Sequence, residues 1–280
     1  MIFNKALTSL AFVLFAAIGV SCSPHQYQTH TAVSGDAQGI LGGDTVASDD
    51  PVARSTVAVL VTVLSSVDQN MTQYLCAGVI IRANAILTAA HCAPKSDETH
   101  QVRIYVVFSK DLNDLGDKDV RNVINQVVHP DFAKKQGPHG EDSHDLAILK
   151  YTGTLPLTYR PALIIPNDNI LTCGTRVTLA GFGLSDLVSS TSDNLLRSVE
   201  LPYGQKFGDS EIIFDQSNGF GACHGDSGGP AFVNYNGTYL LWGIISRGVG
   251  PNDCLSYGVV SKLTAQASFI KDALKQMGLN

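Results

Sequence analysis

Short runs of alternating apolar and polar residues, separated by turn residues, fill most of the chain. The first series comprises VAVLVTVLS (57–65), AGVIIRANAILTAA (77–90), VRIYVVFS (102–109), VINQVVHP (123–130) and LAILKY (146–151). The second comprises RVTLAGFG (176–183), LRSVELPY (196–203), EIIFD (211–215), PAFVNYNGTYLLWGIIS (230–246) and YGVVSKL (257–263). A period of two puts alternate side chains on opposite faces, so each run predicts a half-buried strand, and many short strands in series predict β barrels or sandwiches. One segment breaks the pattern. In TAQASFIKDALKQM (264–277) the residues Phe269, Ile270, Leu274 and Met277 share one helical face, which predicts a C-terminal helix. Residues 94–122, with the charges Asp111, Asp114, Asp117, Lys118 and Asp119, and residues 131–144 read as loops; the Pro-containing stretch 152–170 reads as the crossing between two β units. No repeat or low-complexity tract interrupts the series.

The N-terminus has a different character. Lys5 precedes an apolar stretch over residues 6–20 that is too short and one-ended for a membrane span, so residues 1–22 read as an export signal and 23–39 as a propeptide or linker. GVSC at 19–22 resembles a bacterial lipobox except at Gly19, so ordinary cleavage near Ser21 and lipidation of Cys22 both stay open. At 280 residues and 44% hydrophobic content the body can bury a large core. A formal net charge of -6 with no basic cluster argues against nucleic-acid binding. Six cysteines in an exported chain point to an oxidising compartment or the outside.

Three short motifs carry the chemistry: TAAHC (88–92), DLAIL (145–149) and CHGDSGGP (223–230). A serine hydroxyl is a poor nucleophile at neutral pH and needs a base, and the base needs a group that holds its tautomer. Ser227, His91 and Asp145 fill these roles. Asp142 is the nearby rival carboxylate, but it lacks the apolar run that would bury it behind the histidine. Acyl transfer builds charge on a carbonyl oxygen, which backbone amides stabilise where no side chain obstructs them, making Gly225 and Ser227 the expected donors. In isolation each motif has a structural reading, such as a Gly-rich turn for Ser227; the three in this order favour catalysis.

On these motifs the chain resembles the trypsin/chymotrypsin family of serine endopeptidases over residues 40–275. The resemblance implies an all-β fold of two six-stranded antiparallel Greek-key barrels with a C-terminal helix, and an active site in the cleft between them. It implies disulfides from Cys76 to Cys92 and from Cys223 to Cys254, leaving Cys22 and Cys173 to a mutual tether, a lipidated Cys22 with a free Cys173, or an intermolecular bridge. It makes Ser246 the support of Asp145. ILGG at 40–43 resembles the family's mature N-terminus, so that cleavage before Ile40 would free an ammonium group to pair with Asp226; Gly39 in place of Lys or Arg implies an activating protease unlike trypsin.

The same resemblance places Gly221 where members that cut after Lys or Arg carry an Asp, with Gly248 and Gly258 as wall positions, which implies a pocket open to a large apolar side chain. Arg247 stands where an aromatic residue lines the cleft, a departure pointing to acidic groups beyond the first subsite, and His224 stands at the pocket mouth. No cofactor or metal is expected; calcium would need several oxygen ligands, and the 94–122 loop matches no tight motif. The expected partners are protein or peptide substrates and an activating protease, with the chain a monomer, secreted or periplasmic, and membrane-bound only as an outer-membrane lipoprotein lipidated at Cys22. NMT at 70–72 and NGT at 236–238 are glycosylation acceptors only in a eukaryotic source. A non-catalytic binder of the same fold and an esterase-like hydrolase are the alternatives.

Overall fold

A two-residue strand β1 (Asp44–Thr45) leads into β2 (Thr56–Ser65), β3 (Met71–Arg82), β4 (Ala85–Thr88), β5 (His100–Val107), β6 (Val120–Val128) and β7 (Ala147–Tyr151). In this computed structural model, which describes residues 40–134, 136–171, 174–187 and 190–279, β2 to β7 close into a six-stranded barrel in the order β2-β3-β4-β7-β6-β5. The run AGVIIRANAILTAA divides at Ala83 and Asn84 into β3 and β4, which pair antiparallel. β5 crosses the 94–122 stretch, leaving the charged residues after it in a loop with one short 3-10 turn, Asp117–Asp119.

The second half adds β8 (Leu163–Ile164), β9 (Arg176–Gly181), β10 (Arg197–Pro202), β11 (Gln205–Phe207), β12 (Glu211–Asp215), β13 (Pro230–Tyr235), β14 (Thr238–Val249), β15 (Tyr257–Lys262) and the helix α1 (Ala267–Gln276). Hydrogen bonding among the described residues gives a nine-stranded sheet, β1-β10-β9-β13-β14-β15-β12-β11 with β8 beside β14. With the closed barrel of β2 to β7 and the C-terminal helix, this second sheet gives the mostly β, two-barrel architecture that was expected. The run 230–246 is a hairpin whose Asn236 and Gly237 both adopt positive φ, the conformation of a two-residue turn that matches strand twist.

Strand alternation assigns the core. Val57, Val59 and Val61 of β2 point into the barrel with Ile80, Ile86, Ala147 and Leu149. Ala58, on the other face, belongs to a cluster that also holds Leu87, Ile148, Phe182, Phe232 and Ile244, so the two β units share one apolar interface. Phe269, Ile270, Leu274 and Met277 pack into it from the C-terminal end. Burying each such side chain stabilises by about 1.5 to 3 kcal/mol. Among the described residues no helix is long and apolar enough to cross a membrane. The readings placed on residues 1–39 and on Cys173 lie outside the described residues.

Candidate active site

Strand pairing brings His91 and Asp145 together. Thr88, the last residue of β4, pairs with Ala147, the first of β7. His91 lies three residues beyond one and Asp145 two before the other. His91 sits on the 3-10 turn Ala90–Cys92, tied to β3 by the disulfide from Cys76 to Cys92. Ser227 comes from the second unit, in the loop before β13. That loop is fastened across the interface by the Ala77 amide donating to the Ser227 carbonyl at 2.8 Å, and to β14 by Gly228 donating to Ile245 and Ile245 to Gly229. The disulfide from Cys223 to Cys254 holds its other side.

Asp145 is 2% exposed and accepts three hydrogen bonds. Oδ2 receives His91 Nδ1 at 2.8 Å and the Ser246 hydroxyl at 2.7 Å, and Oδ1 receives the His91 amide at 3.0 Å. Burial, the largest single influence, pushes this carboxyl up, but the bond and charge of His91, the Ser246 hydroxyl and the His91 amide together hold it below its ordinary value. An ionised Asp145 can only accept, so Nδ1 carries the proton and the lone pair of neutral His91 lies on Nε2. The Ser246 hydroxyl is aimed by a register irregularity in the pairing of β14 with β15 between Ile245 and Arg247. The Ser227 hydroxyl donates to the Ser246 carbonyl at 3.1 Å.

Gly225 adopts φ 98°, and a Cβ there would lie 2.7 Å from Gly183 Cα, so conformation and space both require glycine. Neither the Gly225 nor the Ser227 amide donates a hydrogen bond within the described residues. Between them Asp226, fully buried, points inward and accepts from Gly183 at 2.8 Å and Cys223 at 2.9 Å. Burial outweighs both bonds and pushes its carboxyl up to about 7. Ile40 is 0% exposed and packs in the core of the second sheet, and Leu41 bridges Gly221.

Gly248 is cross-strand partner of Gly258, exposed where Gly258 and Gly221 are buried. The room expected beneath these glycines is taken by Gln216, a residue the motifs did not single out. A Cβ at Gly221 would lie 2.3 Å from Gln216 Cδ, and one at Gly258 would lie 2.1 Å from Gln216 Oε1. His224 is exposed.

Arg247 does not reach for acidic groups in the cleft. Its guanidinium forms a two-pronged pair with the fully buried Glu211, at 2.8 Å and 2.9 Å, and also donates to Ser143 Oγ, Gly140 O and Ser246 Oγ. Glu211 in turn accepts from the Ser143 hydroxyl and amide and from the Asp142 amide. The Asp142 carboxylate is engaged elsewhere, receiving the amides of Asp209 and Ser210 and the Ser210 hydroxyl. One grouping of metal-ligating types occurs among the described residues, Cys76, His91 and Cys92; its two cysteines are in a disulfide and offer no thiolate.

The family model for trypsin matches residues 53–270. Vitamin K-dependent protein C of Rattus norvegicus is 29% identical over 220 residues, which cover 70% of this chain and 45% of that protein. Brachyurin of Leptuca pugilator is 32% identical over 188 residues, 62% of this chain and 76% of its own. Trypsin of Sus scrofa is 23% identical over 240 residues, 81% and 96% of the two chains. This chain spans about half the length of the protein C relatives that it matches. With the model covering most of the described residues and both β units, the chain belongs to the trypsin family of serine proteases.

Proposed function

We propose that this protein is an exported serine endopeptidase, made as a zymogen, that hydrolyses peptide bonds after an uncharged apolar residue. The observation carrying this reading is the buried Asp145 gripping His91 Nδ1 at 2.8 Å while Ser246 donates to the same oxygen, because that pairing presents Nε2 as a base beside the Ser227 loop. Once the Ser227 hydroxyl turns from the Ser246 carbonyl, Nε2 takes its proton as Oγ attacks the substrate carbonyl carbon. The carbonyl oxygen gains the negative charge, and the free amides of Gly225 and Ser227 receive it. His91 then gives the proton to the leaving amine, and water repeats the cycle on the acyl-enzyme.

Activation is proposed at the bond between Gly39 and Ile40. A new ammonium group at Ile40 would supply the cation that Asp226 lacks in the uncut chain, returning its carboxyl to the ionised state and holding Gly225 and Ser227 in place. Gly221 supplies no carboxylate, so a basic substrate side chain would be desolvated without a partner. The two disulfides fit export, and the monomeric state is part of the same reading. Fluorophosphonate labelling tests it: the activated protein is expected to take up one label and Ser227→Ala none, while equal labelling of both would place the nucleophile elsewhere.

A further inference from the structure

We propose that Gln216 forms the floor of the substrate pocket and limits it to aliphatic side chains about the size of Leu or Met, excluding aromatic and charged ones. This rests on the endopeptidase reading of the same site and narrows its substrate class. The sequence leaves the pocket open, since none of its three glycines carries a side chain. The structure fills the space from a fourth position. Gln216 is 0% exposed, and the Cβ positions of Gly221 and Gly258 both fall within 3 Å of its carboxamide. Two buried glycines therefore converge on one polar group, and the depth that their absent side chains would free belongs to it.

The carboxamide is locked. Oε1 accepts from the Ala222 amide at 2.9 Å, and both Nε2 hydrogens are committed, to the Ala222 and Cys254 carbonyls at 2.9 Å each. Ala222 adjoins the Cys223 end of one disulfide and Cys254 is its other end, so all three anchors belong to the stapled pocket frame. Swinging the side chain aside for a longer substrate group would strand three buried backbone groups. What the floor offers a substrate is one remaining oxygen lone pair and no free donor. A carboxylate meets an acceptor, and an ammonium or guanidinium meets no charge to offset its desolvation. A phenyl or indole ring needs the depth that Gln216 occupies. Leu and Met fill a shallow pocket whose mouth stays open at Gly248.

The test profiles the activated enzyme on peptides differing only at the residue before the cut, with active enzyme counted by fluorophosphonate titration. Wild type is expected to turn over Leu and Met at least about tenfold faster, in kcat/KM, than Phe, Tyr or Arg, the scale on which a misfit in an apolar pocket is discriminated. Gln216→Ala, with the floor removed, is expected to reverse the order toward Phe. Gln216→Met, which keeps the volume, is expected to keep the wild-type order. Titratable enzyme that prefers Phe in the wild type would overturn the assignment of Gln216 whether or not a variant folds. A wild type that takes up no label would overturn the endopeptidase reading itself.

Discussion

Removing the Arg247 side chain should unfold the active-site frame more readily than removing an ordinary half-buried cation. Its partner Glu211 is fully buried in β12 and receives two guanidinium bonds at 2.8 and 2.9 Å. In Arg247→Ala the remaining donors to Glu211 are the Ser143 hydroxyl and the Ser143 and Asp142 amides, all neutral, so a carboxylate stays in the core with its cation gone. Breaking one side of a buried pair costs about 3 to 5 kcal/mol, whereas replacing both partners by apolar residues of similar volume is near neutral. Urea unfolding on a Ser227→Ala background, which prevents self-digestion, reads this directly. With a slope near ~3 kcal/mol/M, Arg247→Ala should lower the midpoint by about 1 M or more, and Arg247→Met combined with Glu211→Leu should recover most of it. A single variant that unfolds at the wild-type midpoint would refute the idea that the pair is energetically coupled. Because Glu211 and Arg247 also grip Ser143, two residues before Asp145, the active Arg247→Ala enzyme should lose kcat more than it gains KM.

Ser246→Ala removes one hydrogen bond that holds the Asp145 carboxyl below its ordinary value, so the stability contributed by the ionised carboxyl should be smaller and be lost at a higher pH on acidification; an unchanged acid side in a pH series of unfolding midpoints would count against it. Asp226 in the uncut chain has its carboxyl raised to about 7, so it binds a proton more tightly folded than unfolded, and stability should fall as pH rises from about 4 through about 7. Asp226→Asn should flatten that slope in thermal unfolding, as should cleavage before Ile40. Cys76→Ala combined with Cys92→Ala should cost roughly 3 kcal/mol by chain entropy and loosen the turn that carries His91, seen as a lower midpoint in denaturant.

Much of this site was legible because its chemistry is local. TAAHC, DLAIL and CHGDSGGP each place a reactive group at a fixed offset from a strand or a stapled turn, and the pairing of Thr88 with Ala147 turns two such offsets into one contact. The strands of the first barrel and the face of α1 followed from periodicity. The division of 77–90 into two strands did not, since the turn at Ala83 and Asn84 itself carries no Gly or Pro. The order of the strands in the second sheet is set by long-range pairing that no local pattern carries. Glu211 reads as the polar first residue of EIIFD, yet it is buried; the signal was its complement, an arginine at the cleft position where an aromatic residue was expected. Gln216 gave no such signal. Its role depends on two glycines five and forty-two residues later converging on one carboxamide.

The central claim is that Ser227, His91 and Asp145 act as one catalytic unit. Peptide hydrolysis by titrated wild type, the Ser227→Ala and His91→Ala single variants and their combination tests it most directly. Each single variant should lose about ten-thousandfold or more in kcat, and the combination little beyond the worse single. A Ser227→Ala enzyme that keeps near-normal turnover, or losses that multiply in the double variant, would contradict it.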